Sequence, residues 1–200
     1  IGDWKKYLVV FLFLVLTIGF VSGMYVANES MITSANEGVT KYKQEDGHFE
    51  LKKQADATLL SAIETGEKAD FKATKTTLYE NFFRNEEEDY NNDGKKDGTI
   101  RVFAKTKDIN LACMLQGSFP QKADEIAIDR MHADNVGIKV GDTVTVSGET
   151  YKVVGLLAYV NYSTLHEKTT DLMFDALKFD VAMVTQGGFD RLHKSIHYTY

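Results

Sequence analysis

Hydrophobic positions along this chain follow two different patterns. From Tyr7 to Ala27 it reads YLVVFLFLVLTIGFVSGMYVA, 21 residues without a charge. A helix of that length rises about 30 Å, the thickness of a bilayer's hydrocarbon core, so the pattern predicts a membrane span over 7–27. Asn28 to Thr40 has few strand formers and is expected to carry the helix outward as a stalk. The stalk segment, 28–47, ends at the turn Glu45-Asp46-Gly47. From residue 48 the apolar positions come in short alternating blocks, the pattern of a water-facing domain over 48–200.

Within that domain His48 to Lys52 alternates as a half-buried strand does, and Ala55 to Ile63 has helical spacing closed by Gly66. Thr76 to Arg84 suits helix or strand, with its aromatic content favouring strand. The polar stretch Glu86 to Gly98 reads as a loop, followed by a strand over Thr99 to Lys105. A short helix is expected over Asp108 to Leu115. Glu125 to Asp129 reads as a strand, and Arg130 to Asn135 as a helix stopped at Gly137. The turn Val140-Gly141-Asp142 leads into Thr143 to Val146, and Ser147-Gly148 returns the chain into Thr150 to Leu157, a hairpin. Phe179 to Thr185 reads as a buried strand, and Gln186-Gly187-Gly188 leads into a helix from Phe189 to His197. Strands and helices mix without regular alternation, which predicts an α+β domain behind one N-terminal transmembrane helix. No repeat spacing is visible, which disfavours solenoids and propellers.

Composition narrows the class. With 44% apolar residues and one proline in 200, the chain is too hydrophobic to be disordered. A net charge of −6 offers no cationic surface for a phosphate backbone, so nucleic acid is not an expected partner. The single cysteine, Cys113, can form neither an internal disulfide nor a Cys-x-x-Cys redox pair. Its neighbours Leu111, Ala112, Met114 and Leu115 predict a buried, inert thiol.

Charge also orients the span. Lys5 and Lys6 precede it and Glu29 follows it, which puts the N-terminus in the cytoplasm and the domain outside the cell membrane. The first 27 residues carry +1, so the exported part carries −7. The alternative reading is a cleaved signal peptide with Val21-Ser22-Gly23 as its cleavage site, and it exports the same domain. Against it stand the length of the apolar run and the flanking Trp4 and Tyr25, placed like interfacial anchors. Ile1 is not an initiator methionine and Tyr200 follows an unfinished run, so the chain reads as a fragment.

The most pointed chemical pattern is Asp89-Tyr90-Asn91-Asn92-Asp93-Gly94-Lys95-Lys96-Asp97. Asp89, Asn91, Asp93 and Asp97 match positions 1, 3, 5 and 9 of a twelve-residue calcium loop, with Gly94 at the sixth. Calcium is the cofactor such a loop would take. Position 12, normally a bidentate glutamate, is Ile100, and Lys95 and Lys96 oppose a cation. The competing reading is a polar hairpin turn, for which Asn-Asp-Gly is equally suited. His193 and His197 lie four apart on the expected last helix and could face one metal, without a third ligand at motif spacing. No nucleophile elbow and no Walker-type phosphate loop is present, so no catalytic residues are assigned and the chain is not expected to be an enzyme. Asn28-Glu29-Ser30 and Asn161-Tyr162-Ser163 are glycosylation triplets, relevant only in a eukaryotic secretory pathway.

One ordered series goes further. Glu125-Ile126-Ala127-Ile128-Asp129, the helix 130–135, Gly137-Ile138-Lys139-Val140-Gly141-Asp142-Thr143-Val144-Thr145-Val146 and Tyr151-Lys152-Val153-Val154-Gly155 together resemble the extracytoplasmic core of FtsX-like, MacB-type ABC transporter permeases. The preceding span sits where that family's first transmembrane helix would be. The resemblance covers the span and residues 119 to about 185, and 40–118 only loosely. It implies a non-enzymatic transmitter that works with a cytoplasmic ATPase subunit, a second permease copy and membrane lipid. Such a part moves or senses peptides, lipids or lipoproteins, or controls a cell-wall enzyme. Two other classes stay open: the sensory ectodomain of a membrane receptor, and a membrane-tethered hydrolase, for which no motif speaks.

Overall fold

The computed structural model describes residues 3–66, 76–162, 164–168 and 170–200. It divides into two compact units, 1–41 and 42–200. The first is a single helix, α1 (Trp4–Lys41), 38 residues long and without a buried side chain. By length and composition α1 can cross a membrane, a test that a secretory signal sequence also passes. Its polar second half continues the helix as expected but stops at Lys41, short of the Glu45-Asp46-Gly47 turn. Lys43 there takes a positive φ of 49°, which a regular helix does not accommodate.

The second unit is mixed helix and sheet, built around a barrel-like sheet. Its strands are β2 (Phe83–Asp89), β3 (Gly98–Ala104), β4 (Cys113–Gly117), β5 (Glu125–Asp129), β6 (Thr143–Val146), β7 (Glu149–Ala158) and β8 (Phe179–Val184). They lie in the order β4-β7-β5-β8-β3-β2-β6, and β6 pairs again with β7. Six strands thereby close a ring, and β4 lies beside the second half of β7, from Cys113 opposite Ala158 to Gly117 opposite Gly155. Closure leaves the six ring strands without free edges, and β4, paired with β7 alone, carries the one exposed edge of this sheet among the described residues. A separate two-stranded ribbon joins β1 (Glu50–Leu51) to β9 (Tyr198–Thr199).

Strand alternation gives the ring two apolar faces. Ile100, Val102, Ile126, Ile128, Val144, Val146 and Val153 pack on the inner one. Phe103, Ala127, Leu157, Val181 and Met183 pack on the outer one, beneath Tyr159, Leu165 and Ala176 of the connection between β7 and β8. With both faces covered, β8 is buried along its whole length, as its apolar run, broken only by Asp180, predicts.

Local signals explain the elements nearest the site. Helix α3 (Arg130–Val136) begins where the Asp129 carboxylate accepts the N–H groups of Met131 and His132, and ends at Gly137 in the left-handed region. Ser147 and Gly148 have φ of 46° and 87°, the two positive values required by the tight turn between β6 and β7. Helix α2 (Ala57–Thr65) is capped by Asp56 and Gly66.

Five expectations are corrected. Glu86 to Asp89 is the end of β2, and only residues 90–97 form the loop. The segment 76–82 is irregular, so the strand expected from Thr76 begins at Phe83. The expected helix over 108–115 is a bend followed by β4, because β7 offers Cys113 and Met114 a strand to pair with. The last helix, α4 (Gln186–Asp190), starts at the Thr185 cap and is over before Arg191, since the chain then turns to supply β9. The His48 to Lys52 strand shortens to Glu50–Leu51. Of the glycosylation triplet at 161–163, Ser163 lies outside the described residues.

Candidate functional site

Strand β2 places Glu86 and Glu88 on the inner face, paired with Ile100 and Gly98 of β3. Both are buried, yet their fates differ. Glu86 accepts from Ser147 Oγ at 2.5 Å and from the Lys194 N–H at 3.0 Å. Neither oxygen of Glu88 has a hydrogen-bond partner. His132 Nε2 lies 3.4 Å from Glu88 Oε1, close enough for an ion pair but not aligned as a hydrogen bond. A buried polar group without a partner costs about 1–3 kcal/mol, so this arrangement calls for a physical reason.

His132 and Asp180 complete the group. The three side chains are 0% exposed, and one ligand atom from each lies within 4.8 Å of the others. Each comes from a different element: Glu88 from β2, His132 from α3, Asp180 from β8. The Asp129 cap fixes the start of α3, and His132 Nδ1 bonds the Ala176 carbonyl at 2.8 Å. A carbonyl only accepts, so Nδ1 carries a proton and Nε2 faces the carboxylates. Asp180 Oδ1 accepts from the N–H groups of Val181 at 2.7 Å and Asp129 at 3.2 Å, leaving Oδ2 without a partner. Opposite Glu88 stands Gly98, where a Cβ would come 2.6 Å from the Lys178 carbonyl oxygen. Bare backbone at that place lets the chain entering β8 pass close to β3. Tyr90 packs edge-on against the His132 ring, at 5.8 Å between centroids.

Burial disfavours a charged His132 ring, but the Asp180 charge, the Glu88 carboxylate and the Ala176 carbonyl outweigh it and push its pKa up to about 9. Burial drives Asp180 well above the usual carboxylate range; His132 opposes this, while Glu88 and Asp129 add to it. Burial likewise raises Asp129, against the N–H groups it caps. Two carboxylates and one imidazole nitrogen therefore converge where only a bound positive species, a proton or a metal cation, balances them.

The Asp89–Asp97 loop lies next door, at the tip of β2 and β3. Asp89 accepts from the N–H groups of Asp93 (3.1 Å) and Gly94 (2.9 Å). Asp97 accepts from Tyr90 N–H at 3.1 Å, and Asp93 from Lys95 N–H at 2.9 Å. Asn91 Oδ1 accepts the Asp93 N–H at 2.9 Å. Asn92, at φ 56°, bonds Thr143 and Thr145, which ties the loop to β6. All four expected ligand residues are thus brought into one turn, where they satisfy its backbone. Ile100, at the twelfth position, is fully buried in β3.

His193 and His197 do not share a helix, because α4 has ended by Asp190. His197 bonds Glu50 at 2.8 Å and stacks on Phe83, while His193 lies 4.0 Å from Glu149. Cys113 is only half-buried, contrary to expectation, and its sulfur accepts from the Tyr42 hydroxyl at 2.8 Å.

No family model and no curated protein matches this chain. Sequence reasoning missed the Glu88, His132 and Asp180 group altogether. Glu88 lies in the unbroken acidic run Glu86-Glu87-Glu88-Asp89, which falls in the polar stretch expected to be a loop, so nothing local marked its side chain as buried.

Proposed function

We propose that this chain is the first transmembrane helix and extracytoplasmic domain of an ABC-type permease subunit. Its role is to transmit motion driven by a cytoplasmic ATPase. The observation that carries the reading is α1, one uninterrupted helix whose uncharged stretch ends at Ala27 and whose polar remainder runs on to Lys41, next to the first residue of the barrel unit. The series from β5 through α3 and the Gly-Asp turn to β6 and β7, in which the resemblance resides, folds as one contiguous part of the ring.

In this reading Lys5 and Lys6 hold the N-terminus in the cytoplasm, and the domain meets peptides, lipids or lipoproteins outside. Cysteine reporters at Lys5 and Lys96, in a Cys113→Ala background, test the topology with a membrane-impermeant maleimide. Intact cells should label Lys96→Cys and spare Lys5→Cys until lysis. The reverse pattern, or a mature chain beginning just after Gly23, would overturn the anchor. The transmitter role is tested by Ile32→Pro, which breaks the stalk. The full subunit should co-purify with an ATP-hydrolysing partner whose substrate-stimulated turnover the proline abolishes. Unchanged stimulation would reject the coupling.

A further inference from the structure

We propose that Glu88, His132 and Asp180 bind one divalent first-row metal cation, with zinc as the reference ion. The inference is independent of the permease reading and rests on the interior of the barrel. Four polar atoms there are fully buried and without hydrogen-bond partners: both oxygens of Glu88, Nε2 of His132 and Oδ2 of Asp180, with only the 3.4 Å approach of Nε2 to Glu88 Oε1 between them. In native proteins such atoms are nearly always satisfied, as the adjacent Glu86 is by Ser147 and Lys194. One cation at their common focus satisfies all three residues at once.

The donor set and its supports match that role. Ligand atoms about 2.0–2.2 Å from one zinc ion lie about 3–4 Å apart, so a group already within 4.8 Å needs side-chain closure of about 1 Å or less. The Ala176 carbonyl holds the Nδ1 proton and so leaves the Nε2 lone pair for the ion, the usual arrangement of a metal-bound imidazole. Two backbone N–H groups fix the other oxygen of Asp180. Two carboxylates against one dication and a neutral ring leave no net charge in the interior. One nitrogen and two oxygens favour zinc or manganese over calcium or magnesium, which take oxygen alone. Because β2, α3 and β8 contribute one ligand each, the site exists only in the closed ring, and binding is coupled to folding. The competing occupant is a proton, with His132 as an imidazolium between the carboxylates.

The test uses the full chain in detergent micelles, stripped with EDTA and dialysed against micromolar zinc. One zinc per chain is expected, with X-ray absorption showing nitrogen and oxygen neighbours at about 2.0–2.2 Å, one of them an imidazole. Glu88→Gln and Asp180→Asn should each weaken binding at least tenfold. His193→Gln and His197→Gln should not change it. The wild-type absorption spectrum decides the matter even where a buried variant fails to fold. No retained zinc together with equal melting temperatures in zinc and in EDTA would overturn the proposal. So would zinc binding that survives both carboxylate variants.

Discussion

The guanidinium of Arg101 lies 4.4 Å above the ring of Phe83, on the outer face of the barrel. It also reaches Asn85 Oδ1 (2.9 Å), the Tyr162 hydroxyl (2.9 Å) and the Glu167 carbonyl (3.0 Å). One planar cation thus ties β2 and β3 to the connection that covers the outer face. A lysine keeps the charge but loses the fork of donors and the stacking. Arg101→Lys should cost about 1–2 kcal/mol in urea unfolding and speed proteolysis between residues 160 and 178. Equal cleavage rates would show that the connection is held by its apolar contacts alone.

Gly98→Ala is expected to destabilise by about 2–3 kcal/mol, because its Cβ would meet backbone, which cannot rotate away. Gly47→Ala, where nothing lies within 4 Å, is the control and should stay within about 0.5 kcal/mol. Thermal melts of the two variants measure the contrast.

The Asp89 carboxylate is the main organiser of the loop between β2 and β3. Asp89→Ala removes the acceptor for two backbone N–H groups and should cost about 1–2 kcal/mol. Amide exchange at Asp93 and Gly94 should rise with it, and protection unchanged there would count against the assignment.

Alkaline pH should weaken the domain through Tyr151. Its hydroxyl donates to the Gly188 carbonyl at 2.8 Å, and burial pushes its pKa up to about 12, with Arg191 opposing and Glu149 and Glu86 adding. An unfolded tyrosine ionises near pH 10, so this contribution is complete below that pH and is lost as the pH climbs toward 12. Tyr151→Phe should flatten the fall in stability between pH 10 and 12, at the cost of about 1 kcal/mol at neutral pH. Urea titrations across that range check both effects.

How far the site could be read in advance turns on a few residues. Asp89, Asn91, Asp93 and Asp97 were found because their spacing is a local pattern, and the structure does bring them into one turn. His132 carried no such signal, since a lone histidine in a short helix has no ligand partner at motif spacing. Asp180 interrupts an otherwise apolar strand, which marks it only once its neighbours in the ring are known.

Sequence alone determined what short-range physics controls. The uncharged run makes α1 long enough for a membrane, Asp129 and Gly137 bound α3, and Ser147-Gly148 closes the hairpin of β6 and β7, because caps, turns and periodicity act within a few residues. Tertiary structure decided the rest. β3 pairs with β8, whose residues lie about eighty positions later, and β6 pairs with both β2 and β7, so ring closure depends on chain segments that carry no local mark of each other. Closure turns Glu88 and Asp180 inward and sets His132 between them. Polar residues that share no local pattern thereby come together in the interior of the barrel.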